Sequence, residues 1–217
     1  MRLLLIGLNF HPELTGIGKY TGEMAAHLAA QGHEIRVIST PPYYPQWEIA
    51  KPYTGRRYQR EQWSGVDVVR CPLWVPKKPS AIKRLLHLFS FTLSSFSVVL
   101  MQRKWEPEII INIAPSLFSA FPALLLAQFS GAKSWLHIQD FELDAAFGLG
   151  LLQGGKWAYK LAQKLELALL KRFDRVSTIS QCMQERLWQK GVAQEKTVLF
   201  PNWIDTDLIK PLPRPSA

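Results

Sequence analysis

Cysteine is nearly absent: the 217-residue chain has two, Cys71 and Cys182, far apart and without CxxC spacing. That excludes a disulfide framework and a cysteine-built zinc site, and it fits a reduced, cytoplasmic setting. Acidic residues are also scarce, 17 Asp and Glu against 26 Lys and Arg, for a formal charge of +9. Such a surplus favours an anionic partner without choosing among nucleic acid, anionic lipid and a phosphorylated substrate. No leader is legible, because Asn9, His11 and Glu13 cut short the apolar start "MRLLLIGLNFHPE" and no small-residue cleavage site follows. One uncharged run of about the length of a short spanning helix, Leu85 to Gln102, is flanked by Lys83, Arg84, Arg103 and Lys104. A packed helix of a large domain is expected there, and a membrane span is the alternative.

What the chain does have is enough apolar residues, 47% with 12% aromatic, to bury a full core in one globular domain. Apolar β-branched runs at 2–8, 34–40, 66–72, 108–114, 133–139, 174–180 and 196–202 read as strands. Helix-length segments with apolar residues at three and four spacings lie between them, near 18–31, 81–104, 116–130, 154–172 and 181–190. Strands without in-out alternation imply a parallel sheet covered on both faces. The expected fold class is therefore α/β, a Rossmann-like, doubly wound, mainly parallel sheet of about seven strands. Gly32, Gly131 and Gly191 stand where left-handed helix caps are wanted. The domain is expected to occupy 1–201, with the proline-rich 202–217 as a linker.

Folds of this class bind ligands beyond the carboxyl ends of their strands. After the first strand comes "LNFHPELTGIGKYTGEMAAHLA", whose glycines open a helix. It is not a dinucleotide fingerprint: Gly16 and Gly18 are followed by Gly22, one residue late, and the second strand ends "VISTPP" without a carboxylate. It is not a P-loop either, because Tyr20 follows Lys19 and Glu13 stands where the first glycine should be. What remains is a bare turn leading into a helix whose amides and dipole suit an anion, or simply a tight turn.

The second candidate is "SWLHIQDFELDAAFGLG". On a strand at 133–139, His137 and Gln139 share one face, and Asp140, Glu142 and Asp144 follow its end. Carboxylates there can accept bonds from sugar hydroxyls or position a general base, whereas a capping Asp140 and a buried, satisfied His137 are the plain alternatives. Ser116 and Ser180 read as helix caps. The aromatic, basic stretch at 43–60, with Tyr43, Tyr44 and Trp47, suits sugar stacking or lipid headgroups and is expected to be a mobile acceptor loop. "WVPKKPSAIKRLL" adds cations ahead of the apolar helix, as in a surface-lying membrane contact or a solvated helix start.

The residues "FHPELTGIGKYTGEMAAHLAAQGHEIRVIST", "HIQDFELDAA" and "VSTISQCMQERLWQKGV…TVLFPNWID" together resemble the amino-terminal half of retaining GT-B glycosyltransferases of family 4. The likeness is greatest to the bacterial exopolysaccharide group with colanic-acid-type fucosyl or acetamidosugar transferases, and it covers nearly the whole chain. The resemblance implies one half of a GT-B fold and a glycosyltransferase that moves sugar from a nucleotide-diphosphate donor, without other cofactor or metal, to a lipid-linked glycan. It places Gly16, Gly18 and Lys19 by the donor diphosphate, and Tyr43, Tyr44, Trp47, Gln139 and Glu142 on the acceptor side. Asp140 and His137 become the catalytic candidates. Many members carry His-Asp after the strand, whereas this chain has Gln139-Asp140 with His137 upstream. The E-x7-E pair of the family's donor-binding half has no counterpart here, so the chain is expected to be an acceptor domain, inactive alone, with "PNWID" as the hinge. The expected place is the cytoplasm, peripheral on the inner face of the membrane where it contacts anionic lipid. No nucleic-acid motif appears. A standalone lipid- or ligand-binding module and an NAD-dependent oxidoreductase are the competing readings.

Overall fold

The structure, a computed structural model, describes residues 1–115, 117–141, 155–204 and 206. Glu142, Asp144 and Ser116 lie outside the described residues, as does most of the expected linker. The chain runs β1 (Arg2–Ile6), α1 (Gly16–Ala30), β2 (Glu34–Ser39), β3 (Gln59–Trp63), β4 (Val66–Arg70) and α2 (Ala81–Met101). It continues through β5 (Ile109–Ala114), α3 (Ala120–Ser130), β6 (Lys133–Ile138), α4 (Gly155–Arg172), β7 (Arg175–Thr178), α5 (Gln181–Gln189) and β8 (Thr197–Leu199).

The strands form one sheet in the order β3-β4-β2-β1-β5-β6-β7-β8. All neighbours pair parallel except β3, which runs antiparallel to β4. The sheet thus has eight strands where about seven were expected. The extra strand begins at the end of the 43–60 segment read as a mobile loop and runs past it: a two-residue turn at Ser64 and Gly65, both with positive φ, folds β3 back on β4. Paired φ > 0 residues match the right-handed twist of the flanking strands.

Central strands are apolar on both sides because both faces are covered. Leu3, Leu5, Ile35, Val37 and Ile113 pack against α1 through Ala25, Met24 and Leu28. Leu4, Ile6, Ile38 and Ile110 pack on the opposite face against Phe91 and Val99 of α2 and Ala123 and Leu126 of α3. Each fully buried Leu, Ile, Val or Phe among them contributes roughly 1.5–3 kcal/mol of transfer free energy. A third cluster joins Leu136, Ile138 and Val176 to Leu170, Phe173 and Leu187.

The segment from Ile82 to Trp105 is long and apolar enough to cross a membrane, with mean hydropathy 1.5. Yet Leu88, Phe91, Ser95 and Val99 put one face of α2 into the domain core, so the packed-helix reading holds for this segment. Gly32, Gly131 and Gly191 all take positive φ at helix ends, as their positions implied.

Candidate functional site

Because β1, β2, β4, β5, β6, β7 and β8 run the same way, their carboxyl ends share one rim, and the loops after β1 and β6 rise from it. Only β5 separates these two strands, which puts them about 10 Å apart in the sheet. The two sequence candidates therefore stand on the same edge.

The loop after β1 is built around a buried carboxylate. Glu13 Oε1 accepts the backbone N–H groups of Tyr43 (3.0 Å) and Tyr44 (2.9 Å), and Oε2 accepts Asn9 Nδ2 at 2.8 Å. Burial raises the Glu13 pKa above its ordinary value, against the pull of these bonds and of Arg70. Gly18 makes room for it, since an added Cβ would lie 2.7 Å from both Glu13 Cβ and Oε2. Gly16, with φ +57°, differs: a Cβ there would meet nothing within 4 Å. Of the two bare positions, one serves the protein's own carboxylate and one faces open space.

Lys19 is engaged within its helix. Its Nζ lies 3.0 Å from Glu23 and 4.7 Å from the centre of the Tyr20 ring. Glu23 also accepts Trp203 Nε1 at 2.8 Å, and Trp203 meets Tyr20 edge to face, so the segment after β8 is clasped to α1.

Arg70, the last residue of β4, is fully buried. Its guanidinium donates to Glu61 (2.8 Å from Nε), to the Thr40 carbonyl (3.0 Å) and to the His11 carbonyl, and it lies over the Phe10 ring at 5.3 Å. A planar fork of donors can satisfy several acceptors at once, and so it binds the loops after β1 and β2 to β3. His11 stacks on Trp63 with ring centres 4.0 Å apart, and burial together with Arg70 lowers its pKa. Sequence reasoning singled out none of Glu13, Arg70 and His11 for this rim. The available signal was Arg70 at an inward position of "VDVVR", in phase with Val66 and Val68.

At the other candidate, Asp140 is exposed and Gln139 half-buried just past the end of β6. His137 is 4% exposed, with Nδ1 2.8 Å from Ser177 Oγ, which also accepts Trp135 Nε1 at 2.8 Å. The Phe200 ring covers it edge-on at 5.2 Å. Burial lowers the His137 pKa to about 4, so the ring is neutral near pH 7. This placement is that of a packed, hydrogen-bonded imidazole, while Asp140 is open to solvent.

The 43–60 stretch divides. Tyr43 is buried, and its ring meets those of His87 (4.8 Å) and Trp47 (5.8 Å), while Trp47 and Ile49 pack on the core. Tyr44 is exposed beside the Glu13 lock. As acceptor candidates, Tyr43 and Trp47 are thus largely used as internal packing, and residues 59–60 at the end of the stretch already belong to β3.

At the end of β2, the Ser39 and Thr40 hydroxyls both donate to the Leu8 carbonyl, at 2.8 and 2.7 Å, where a dinucleotide fold would offer a carboxylate to a ribose. A cavity of about 420 Å³ opens at the far end of the strands, among Leu124, Gln128, Ser134, Arg172 and Asp174, away from this rim. Among the described residues no group of three His, Cys, Asp or Glu side chains is placed to hold a metal ion.

Comparison with known proteins adds three findings. Residues 15–203 match the family model described as "Glycosyl transferase 4-like domain". The chain is 54% identical over 206 residues to the putative colanic acid biosynthesis glycosyl transferase WcaI of Escherichia coli strain K12, covering 94% of this chain and 50% of that protein. It thus spans about half the length of this curated relative. Among solved structures it is similar to the lipopolysaccharide outer core galactosyltransferase WaaB in its apo form, at TM-score 0.55 and 12% identity over 100% of this chain and 50% of that one. It is also similar to Anabaena HepE in complex with UDP and glucose, at TM-score 0.53 and 14% identity over 98% and 47%. At these identities the structural likeness concerns the fold, one Rossmann-like half of such enzymes.

Proposed function

The chain belongs to the glycosyl transferase 4-like domain family, and from that membership we propose that it forms the acceptor-side half of a retaining glycosyltransferase. Its reaction moves a sugar from a nucleotide-diphosphate donor to a lipid-linked glycan in cell-surface polysaccharide synthesis, at the cytoplasmic face of the membrane. The observation that carries this reading is the shared rim: an open glycine turn after β1 and an exposed carboxylate after β6, in a chain 54% identical to a putative colanic acid glycosyl transferase.

In this reading Asp140 contacts the acceptor hydroxyl or receives its proton, and Gln139 and Tyr44 flank the acceptor. Gly16 is the place where the donor diphosphate approaches the turn. Two charged groups of the loop are already committed, Glu13 within the protein and Lys19 to Glu23. The first turn of α1 therefore offers backbone amides rather than a free side-chain cation, and most of the diphosphate charge falls to the donor-binding half.

The test is an amide-shift titration of the 217-residue protein with short-chain lipid-linked disaccharides, UDP-glucose and NAD. Shifts at Tyr44, Gln139 and Asp140 with the glycan, and no sugar release from UDP-glucose, are expected. Shifts confined to NAD, or sugar transfer by this chain alone, would overturn the reading.

A further inference from the structure

Among the described residues, one face is apolar and exposed, with cations at both ends of its long helix. On α2, Ile82, Leu86, Phe89 and Leu93 follow one another at four-, three- and four-residue spacing and are 70%, 51%, 51% and 68% exposed. These spacings place them on a single stripe opposite the one that enters the core. Phe118, Phe121 and Phe129, from the segment before α3 and from α3 itself, are exposed as well. Ring contacts across the two elements, Phe89 with Phe118 at 6.3 Å and Phe96 with Phe121 at 6.4 Å, make the surface continuous. So many large apolar side chains on one contiguous face mark an interaction surface rather than ordinary scatter.

Charge identifies the partner. Between Asp67 and Glu106 the chain has no acidic residue, and Leu117–Ala132 has no formal charge at all. Lys77, Lys78, Lys83 and Arg84 border the start of the stripe, exposed, while Arg103 and Lys104 border its end. Arg84 lies over Trp47 and Arg103 over Phe129, so these guanidiniums stay beside the apolar face. An apolar stripe with cations along its margins matches the acyl boundary and headgroups of an anionic leaflet. The helix does not cross that leaflet, because its inner face is held by the core.

We infer that the α2–α3 face is a docking surface for an anionic bilayer, on which the domain lies with α2 parallel to the membrane plane. Because Arg84 and His87 in the first turns of α2 meet Trp47 and Tyr43 of the loop after β2, the more cationic end of the stripe adjoins the rim that holds Gly16 and Asp140. Docking therefore brings the rim to the headgroups, where the polar head of a lipid-linked acceptor resides. The surface itself stands without the transferase reading, and only its alignment with the rim rests on it. Trp203, near the end of the described chain, is clasped to α1 on the opposite face of the sheet, away from the stripe.

The experiment is flotation of the 217-residue protein with vesicles of phosphatidylcholine alone or mixed with phosphatidylglycerol, at low and high salt. Binding to the mixed vesicles that weakens with salt is expected. Lys77→Gln with Lys78→Gln should weaken it about thirtyfold, at about one Lys contribution per substitution. Leu86→Glu with Phe89→Glu should abolish flotation while leaving the far-ultraviolet circular dichroism spectrum unchanged, since both side chains are exposed. Three results would overturn the inference: no flotation of the unsubstituted protein, equal binding to neutral vesicles, or a dimer that the paired glutamates dissociate without any vesicle binding. Loss of flotation with the glycan-induced shifts intact would separate failure here from failure of the transferase reading.

Discussion

The carboxylate of Glu13 lies where a side chain at Gly18 would be, 2.7 Å from the ideal Cβ position. The glycine and the acid are thus one device: the missing Cβ lets Glu13 reach under the first turn of α1, where it collects the Tyr43 and Tyr44 amides and pins the two rim loops together.

Gly18→Ala should therefore destabilise the domain by about 1–3 kcal/mol, as overpacking against a fixed group does. Gly16→Ala meets no atom and carries only the left-handed backbone penalty, roughly 1 kcal/mol. Urea unfolding of both variants checks the order, and a Gly16 variant at least as unstable as the Gly18 variant would refute it.

Glu13→Gln keeps the shape but sets an amide against Asn9 Nδ2 or against the Tyr43 and Tyr44 amides. A buried donor left facing a donor costs about 1–3 kcal/mol. The same melts should show it, with the largest amide shifts at Asn9, Tyr43 and Tyr44.

Acid should weaken the fold. His137 has a folded pKa of about 4 against an ordinary 6.5, so the unfolded chain takes up its proton first. Stability is full above pH 6.5 and is lost as pH falls toward 4, by on the order of 3 kcal/mol for this residue. His87 and His11 are shifted in the same direction and add to the loss. Glu13, whose pKa is raised, acts oppositely and offsets part of it at the acidic end. Denaturant midpoints at successive pH values test this, and His137→Leu should flatten the profile between pH 6.5 and 4.

Arg70→Met leaves the Thr40 and His11 carbonyls without their donor and Glu61 without its partner. Removing one side of a buried charge network costs roughly 3–5 kcal/mol. Arg70→Lys should recover only part of that, since a single ammonium cannot reproduce the fork. A lysine variant as stable as the unsubstituted protein would show that the geometry of the donors is unimportant.

Asp140→Asn should leave stability within about 0.5 kcal/mol, as for an exposed residue outside the core. In a chain that carries both halves of the enzyme it should reduce transfer at least tenfold. Equal loss of activity and stability would mean that the residue supports the loop rather than the acceptor.

Much of the architecture is legible in the amino-acid order, because strands buried on both faces must be apolar throughout and helix ends need glycine. β3 escapes that logic: "QREQW" at a sheet edge needs no apolar alternation, and only the Ser64-Gly65 turn betrays it. The candidate site was legible as a place, the rim after β1 and β6, more than as a set of roles. Whether a polar residue is open or internally matched depends on partners distant in sequence. His137 finds Ser177, Glu23 meets Trp203, and Glu13 spans thirty positions to Tyr43. No local pattern reports such pairings.

The two ends of the sheet carry a consequence for assembly. β3 presents Arg60 and Gln62 outward, and β8 is only three residues long. Charge and brevity are the means by which exposed strand edges avoid recruiting a neighbour's backbone. Lateral growth of the sheet is thus discouraged on both flanks, and self-association by strand exchange has no ready template, so lasting encounters fall to the helical flank and the loop-bearing rim.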